Sequence, residues 1–172
     1  MPERTLSSET VFTSKVFSLQ SDRVYLPNGL EATIPLIQHP GSVVLLPTPD
    51  PGHIVLVRQY RYSIDRWTWE LPAGTINPGE TPQQAAIREC HEEIEKLPGH
   101  IETLGKFYPT PGYCNELMTF FRLTELTKPN HSAKRDDDEE IEAELFSLDE
   151  AWQLVKNAEA PDLKTALGLK LL

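Results

Sequence analysis

The sequence predicts an α+β fold in which mixed β-sheets are flanked by helices. Short extended segments follow one another in pairs with few helices between them, a pattern typical of this class. One well-delimited amphipathic helix interrupts these segments near the middle of the chain. The length of 172 residues is close to that of one domain and is sufficient for one hydrophobic core.

The first forty residues are predicted to form short strands. The segments Val11–Leu19, Arg23–Leu26 and Leu30–Gln38 contain alternating apolar and polar residues. Pro27, Asn28 and Gly29 separate the last two segments, and these residue types favour a tight turn. Residues 1–40 are therefore expected to form an N-terminal antiparallel sheet.

The next segments are apolar and rich in β-branched residues. Ser42–Leu46 and Ile54–Tyr60 lie on either side of the loop Pro47–His53, and two apolar runs around such a loop predict a hairpin. Trp67–Leu71 is predicted to be a further strand, which ends at Pro72, Ala73 and Gly74.

A helix is predicted over Thr81–Leu97. Thr81 is a suitable N-cap, Pro82 suits the first helical position, and Gln84 completes a capping box. Apolar residues then recur at helical spacing. Pro98 and Gly99 are expected to end the helix.

The remaining elements are three strands and two helices. The strands are predicted at Ile101–Phe107, Leu117–Leu123 and Ile141–Phe146, and the helices at Leu148–Lys156 and Leu163–Leu171.

Composition and charge restrict the function. The net charge of −10 argues against binding to nucleic acid, which requires clustered Lys and Arg. No apolar run approaches the roughly 20 residues of a membrane span, and the polar N-terminus does not resemble a secretory signal. Cys90 and Cys114 lack the spacing of a metal finger. We therefore expect a cytoplasmic protein with no membrane partner and no disulfide scaffold.

A cluster of acidic residues lies on one face of the predicted helix. Glu89, Glu92 and Glu93 are spaced i, i+3 and i+4, so their like charges repel, and Arg88 cannot neutralise all three. Hard carboxylate oxygens on a rigid element suit Mg²⁺ or Mn²⁺. A solvated acidic helix face is the alternative interpretation.

The segment Gly74–Lys96 resembles the Nudix box, G-x5-E-x7-R-E-U-x-E-E-x-G-U, where U is a bulky apolar residue. The matching positions are Gly74, Glu80, Arg88, Glu89, Cys90, Glu92 and Glu93. Glu95 stands where the motif has glycine, and Lys96 stands where it has an apolar residue. The usual glycine caps the helix end, so the exit of this helix is expected to differ.

The resemblance implies a Nudix fold, an α/β/α sandwich over residues 41–172, and a role for each matching residue. Glu89, Glu93 and the backbone carbonyl of Ala73 would bind Mg²⁺, with Mn²⁺ as an alternative ion. Glu92 would be a further ligand or an electrostatic support. Arg88 would orient the glutamates, and Glu80 would anchor the loop.

Other segments resemble the ADP-ribose pyrophosphatase and nucleoside diphosphate sugar hydrolase subfamily. These are Arg58–Arg61, Glu70–Gly74 and Phe107–Glu116, in which Pro111 occupies the position of a subfamily proline. The likeness implies that Arg61, Glu70, Pro111 and Glu116 bind substrate. For Arg61, an ion pair at the protein surface is the alternative interpretation.

An acidic tract at residues 136–140 precedes the strand Ile141–Phe146. In the family, a glutamate from a loop at this place binds metal or accepts the proton of the attacking water. We expect Glu139 to have this role, with Glu140 and Asp137 as alternates.

The implied activity is Mg²⁺-dependent hydrolysis of ADP-ribose to AMP and ribose 5-phosphate. GDP-mannose or another nucleoside diphosphate sugar is an alternative substrate, and a non-catalytic Nudix-like ligand sensor is a second alternative. Tyr25, Trp67 or Tyr113 could stack on a base. The resemblance also implies a homodimer that exchanges its N-terminal strands at residues 1–40.

Overall fold

A computed structural model describes residues 4–131 and 141–172. It confirms the predicted α+β class, with β-strands and helices in the following order along the chain. The strands are β1 (Thr5–Thr13), β2 (Ser18–Tyr25), β3 (Glu31–Gln38), β4 (Ser42–Pro47), β5 (His53–Arg61), β6 (Arg66–Glu70), β7 (Ala73–Thr75), β8 (His100–Phe107), β9 (Met118–Thr124) and β10 (Glu142–Ser147). The helices are α1 (Pro82–Ile94), α2 (Leu148–Asn157) and α3 (Leu163–Leu171).

The strands form three sheets in the described residues. β1, β2 and β3 form an antiparallel sheet in that order. A second antiparallel sheet has the order β10-β5-β6, and the third has the order β7-β4-β9-β8. Contacts divide the chain into two units. One unit contains the described residues up to Gly41 with Phe107–Met118, and the other contains Ser42–Lys106 and the described part of Thr119–Leu172.

The first two strands of the N-terminal sheet have other bounds than predicted, since β1 begins at Thr5 and β2 begins at Ser18. The predicted strand Val11–Leu19 is wrong, because a turn separates β1 from β2 between Ser14 and Phe17. The Ser14 hydroxyl accepts hydrogen bonds from the backbone N–H groups of Val16 and Phe17, and the Phe17 carbonyl accepts one from the Ser14 N–H. A serine side chain that bonds nearby backbone in this way favours a turn over a continuous strand.

The predicted hairpin of β4 and β5 is also wrong, although both strands are present. β4 lies between β7 and β9, whereas β5 lies between β10 and β6 in another sheet. All residues of β4 are buried. A strand buried along its whole length is an interior strand with neighbours on both sides, so its chain neighbour need not be its sheet neighbour.

The main core lies under α1. Ten buried residues form it: Val43, Leu45, Val57, Ala85, Ala86, Cys90, Ile94, Phe121, Leu123 and Ile141. The helix contributes four of them at i, i+1, i+5 and i+9, which is the spacing of one helix face. α1 is thereby fixed against β4, β5 and β7.

The start of α1 confirms the prediction, but its end does not. Thr81 and Gln84 form both hydrogen bonds of a capping box. The helix ends at Ile94 rather than at Leu97, because Glu95 adopts a left-handed conformation with φ 54° and ψ 43°. Its N–H donates to the carbonyls of Cys90 and His91, so Glu95 closes the helix where the motif has glycine.

Candidate functional site

The loop before α1 is held by its own acidic residue. The Glu80 carboxylate accepts a hydrogen bond from the Asn77 N–H at 3.0 Å, and the Asn77 carbonyl accepts one from the Glu80 N–H at 3.0 Å. Gly79, between them, has a φ of 82°, which a residue with a Cβ rarely adopts. These contacts give the loop a defined shape at the start of the helix.

Arg88 connects this loop to the acidic face of α1. Its Nε and Nη2 atoms lie 2.9 and 3.0 Å from the two carboxylate oxygens of Glu80, and Nη2 also donates to the Thr75 carbonyl. Its Nη1 atom lies 2.6 Å from Glu89 Oε1 and 2.8 Å from Glu92 Oε2. The Glu80 hydrogen bond, above all, raises the pKa of Arg88, and the same bond lowers the pKa of Glu80. Arg88 is thus a fixed cation that orients three carboxylates.

Glu89 and Glu93 are both buried, which is uncommon for glutamate side chains. The Glu89 carboxylate lies directly against the backbone of Gly74, and a Cβ added to Gly74 would overlap it. Gly74 and Ala73 belong to β7, which pairs with Val43 and Val44 of β4. The close approach of backbone and carboxylate explains why glycine is needed at position 74, and the β4 pairing fixes the Ala73 backbone beside it.

The chemistry of these donors fits a hard divalent cation. Carboxylate and backbone carbonyl oxygens are the preferred ligands of Mg²⁺. In the described parts of the chain, no three His, Cys, Asp or Glu side chains converge closely enough to hold a metal ion by themselves. Glu92 is turned towards Arg88. A cation bound here would therefore complete its shell with backbone oxygen, water or phosphate oxygen, as Mg²⁺ commonly does.

A second polar cluster surrounds Glu70 at the end of β6. Its carboxylate is almost fully buried and accepts hydrogen bonds from Arg61, Thr68 and Lys164. Burial by itself would raise the pKa of Glu70, but the hydrogen bonds and charges of Arg61 and Lys164 outweigh it and lower the pKa to about 2. Glu70 was predicted to bind substrate. In the structure its carboxylate is occupied by these three side chains.

Sequence reasoning missed Lys164 as a member of this cluster. Lys164 lies in the first turn of α3, and its Nζ atom also lies 3.1 Å from Asp162 Oδ2. No local signal links Lys164 to Glu70, because the two residues are 94 positions apart.

Two of the cavities formed by described residues of the larger unit bear on the site. One, of about 510 Å³, is lined by Arg61, Glu70, Lys164 and seven neighbouring residues. Another, of about 930 Å³, lies along Trp67, Trp69, Phe146 and α2, and Trp67 is the one residue among its lining that was predicted to contact a ligand. The smaller cavity is the better candidate for a phosphorylated ligand, because two cations line it, Arg61 and Lys164, and Arg61 was predicted to bind substrate.

Pro111 and Glu116 belong to the smaller unit. Pro111 lies in a turn in which Tyr113 and Cys114 donate to the Thr110 carbonyl. Asn115, which the sequence reasoning did not single out, connects this turn to the end of β3. Its side chain accepts from the His39 N–H and donates to Gln38 Oε1, and its backbone bonds Ile37.

The other predicted residues have different outcomes. Glu139 and its alternates Glu140 and Asp137 lie outside the described residues. Tyr25, Trp67 and Tyr113 are each about half exposed, and Trp67 packs against Tyr60 and under Arg58 along the larger cavity. Across the described residues, no helix combines the length and apolar character of a bilayer span.

Comparisons with known proteins identify the family and the fold of this chain. A family model described as NUDIX domain matches residues 38–167. An ADP-ribose pyrophosphatase from Bacillus subtilis (strain 168) is 34% identical over 172 residues, which is 100% of this chain and 93% of that protein. A methanol dehydrogenase activator from Bacillus methanolicus is 34% identical over 170 residues, which is 99% of this chain and 92% of that protein.

A solved structure shares the fold. The crystal structure of an ADP compounds hydrolase superposes with a TM-score of 0.79 and covers 97% of this chain and 90% of its own. Its identity to this chain is 22%, so the match concerns the fold.

Proposed function

The chain belongs to the Nudix family, and from that membership we propose that it hydrolyses the diphosphate linkage of ADP-ribose. The products are AMP and ribose 5-phosphate. The observation that carries the proposal is the burial of Glu89 and Glu93 on one face of α1, with the Glu89 carboxylate seated on Gly74. Buried carboxylates are costly unless something opposite in charge shares the site. Arg88 contacts Glu89, and a divalent cation held by these carboxylates would supply further positive charge.

The residues assigned to the cation are Glu89, Glu93 and the Ala73 carbonyl, with Mg²⁺ as the ion and Mn²⁺ as its substitute. When bound, the cation neutralises diphosphate oxygens and lowers the pKa of nearby water. Glu92 supports the cluster electrostatically from its contact with Arg88. Arg61 binds a phosphate with its exposed edge, and Glu139, with Glu140 and Asp137 as alternates, accepts the proton of the attacking water. Water adds to one phosphorus as the bridging P–O bond breaks.

The substrate assignment is supported by relatives rather than by a bound ligand. The Bacillus subtilis relative is named ADP-ribose pyrophosphatase, and the alignment with this chain covers 93% of its length. Pro111 and Glu116 are assigned to substrate contacts in the smaller unit. GDP-mannose is the nearest competing substrate, since nothing in the geometry of Arg88, Glu89 and Glu93 selects a base or sugar.

A substrate panel tests the proposal. The protein is incubated with Mg²⁺ and, separately, ADP-ribose, GDP-mannose, UDP-sugars, dinucleotides and nucleoside triphosphates, and released phosphomonoester is measured. We expect the highest kcat/KM for ADP-ribose. Turnover of triphosphates alone would refute the substrate class, and no turnover of any compound would favour the ligand sensor.

A matched pair of variants tests the ligand assignment. Glu93→Gln keeps the shape of the side chain and removes its charge, and we expect kcat to fall at least about 100-fold. Glu102→Gln is the control, because Glu102 is an exposed residue of β8. Melting temperatures of both variants establish that the fold is retained. Full activity of Glu93→Gln would contradict the assigned role.

We further propose a cytoplasmic homodimer in which residues 1–40 contribute to dimerisation and to the partner's substrate site. β1 is an edge strand with exposed apolar side chains, including Val11 and Phe12, and such surface is typical of an interface. Cys90 and Cys114 are both free, as a reducing compartment requires. Light scattering of the intact protein and of Phe12→Ser measures the assembly. A monomeric wild type would refute the dimer.

A further inference from the structure

The Glu70 carboxylate is surrounded by donors on both oxygens. Oε1 lies 2.8 Å from Arg61 Nε and 2.5 Å from Thr68 Oγ1. Oε2 lies 2.5 Å from Arg61 Nη2 and is also bonded by Lys164 Nζ. Only 3% of the Glu70 side chain is exposed. Two cations therefore share one buried carboxylate, and neither can move without changing its hydrogen bonds.

Arg61 offers one edge to Glu70 and keeps the other available. Within the described residues, its hydrogen bonds are those of Nε and Nη2 to Glu70. Nη1 lies on the opposite side of the planar guanidinium, and 41% of the side chain is exposed. A guanidinium held by two parallel hydrogen bonds has a fixed orientation, so its remaining edge can bind an anion with little further loss of entropy.

Lys164 is itself held by the start of α3. Its side chain is 10% exposed, and Nζ lies 3.1 Å from Asp162 Oδ2. Asp162 is the N-cap of α3 and accepts hydrogen bonds from the Thr165 N–H and hydroxyl. The Thr165 hydroxyl in turn accepts the Leu71 N–H at 2.8 Å. The helix start is thus bonded to the residue that directly follows Glu70.

Lys164 contributes to this cluster by position rather than by excess charge. Asp162 pairs with Lys164, so the two cations Arg61 and Lys164 are balanced by the two carboxylates of Glu70 and Asp162. The contact with Lys164 holds Oε2 of Glu70 in place, and Glu70 in turn holds the Arg61 guanidinium. The loss of Lys164 would also leave Oε2 without one of its charged donors and allow Glu70 and Arg61 to reorient.

We infer that Lys164 is a positioning residue, which acts through Glu70 to orient the Arg61 guanidinium towards a phosphate of the substrate. This inference rests on the proposed function, because it requires Arg61 to contact the diphosphate. It assigns the first turn of the C-terminal helix to the substrate site, although Lys164 itself need not touch substrate.

Steady-state kinetics with ADP-ribose and Mg²⁺ provide the first test. For Lys164→Met we expect kcat/KM to fall about 10- to 100-fold, with much of the change in KM, since a displacement of about 1 Å of a binding group has an effect of this order. Lys164→Arg retains a cation and should recover part of the loss. Lys170→Met is the matched control, because Lys170 lies on the same helix but contacts Trp152. We expect this variant to retain the activity of the wild type.

A double-mutant cycle provides the second test. If Lys164 acts through Arg61, Lys164→Met has little further effect on kcat/KM in an Arg61→Ala background. Multiplied losses in the double variant, or an unchanged kcat/KM in the single variant, would overturn the inference. If Lys164→Met does not fold, as judged by its melting curve, Lys164→Gln is measured against the same two criteria.

The two proposals fail in different ways. A wild-type protein that hydrolyses no sugar nucleotide refutes the proposed function. An active wild type with no coupling between Lys164 and Arg61 refutes only the positioning role.

Discussion

Because Glu70 is ion-paired, its ionisation makes the free energy of unfolding depend on pH. The substitution Glu70→Gln isolates this contribution. The pKa of Glu70 is lowered from 4.5 to about 2, although burial acts in the opposite direction, because Arg61 and Lys164 stabilise the ionised form. A folded-state pKa below the unfolded value means that this stabilisation is present above about pH 4.5. It is lost as the pH falls towards 2.

The size of the effect follows from the two pKa values. Lowering a pKa from 4.5 to about 2 corresponds to about 3 kcal/mol of folding free energy at pH 7. Roughly 2 kcal/mol of this amount should be lost between pH 7 and pH 3. Glu70→Gln cannot ionise, so it lacks this contribution at every pH, and the unpaired cations around it add to the destabilisation at neutral pH.

Urea unfolding followed by tryptophan fluorescence measures the difference. Wild type and Glu70→Gln are compared at pH 7, 5, 4 and 3, and the other carboxylates affect both proteins alike. We expect the gap in the free energy of unfolding to be widest at pH 7 and to narrow by roughly 2 kcal/mol at pH 3. A gap of constant size across this range would refute the assignment of a strongly lowered pKa to Glu70.

Three further substitutions test the region around α1. Gly74→Ala should reduce kcat about 100-fold in the phosphomonoester assay, because the added Cβ displaces the Glu89 carboxylate, and unchanged turnover would contradict the packing seen here. Glu95→Gly should raise the free energy of unfolding in urea by about 0.5–1 kcal/mol, since glycine adopts a φ of 54° without strain. A loss of stability would show that interactions of the Glu95 side chain outweigh the relief of backbone strain. Arg88→Lys should lower the free energy of unfolding in urea by about 2 kcal/mol, because a lysine cannot reproduce the paired hydrogen bonds to Glu80. Retention of full stability would mean that these hydrogen bonds contribute little.

Local sequence signals predicted the elements that depend on local physics. The capping box of Thr81 and Gln84, the turn at Pro27–Gly29 and the helix Leu163–Leu171 are all present. Each depends on residues within a few positions of one another. Their hydrogen bonds and conformational preferences are therefore readable from a short window.

The pairing of strands that lie far apart in sequence could not be predicted from such a short window. β4 and β5 are adjacent in sequence and separated by a Pro- and Gly-rich loop, so the window predicts a hairpin. Their separation into two sheets depends on burial of β4 against α1 and β9, which only the complete fold supplies. The break after β1 has a local cause, because the Ser14 hydroxyl accepts hydrogen bonds from the backbone N–H groups of Val16 and Phe17. The prediction did not take this interaction into account.

The candidate site shows the same division. Gly74, Arg88, Glu89, Glu92 and Glu93 belong to one motif. The structure places the first four in contact, and Glu93 lies buried on the same helix. Lys164 reaches Glu70 across 94 positions and carries no motif of its own. A lysine in the first turn of a helix is ordinarily solvent-exposed, so only the packing of α3 on the end of β6 reveals its contact.

The left-handed Glu95 has a consequence for how such chains are recognised. The helix exit requires a backbone shape, and a residue that bears a side chain meets that requirement here at a modest energetic cost. A pattern that demands glycine at this position would pass over the sequence even though every charged position before it is present. A sequence criterion for the Nudix family should therefore require the carboxylates of the helix and allow any capping residue that can adopt the left-handed conformation.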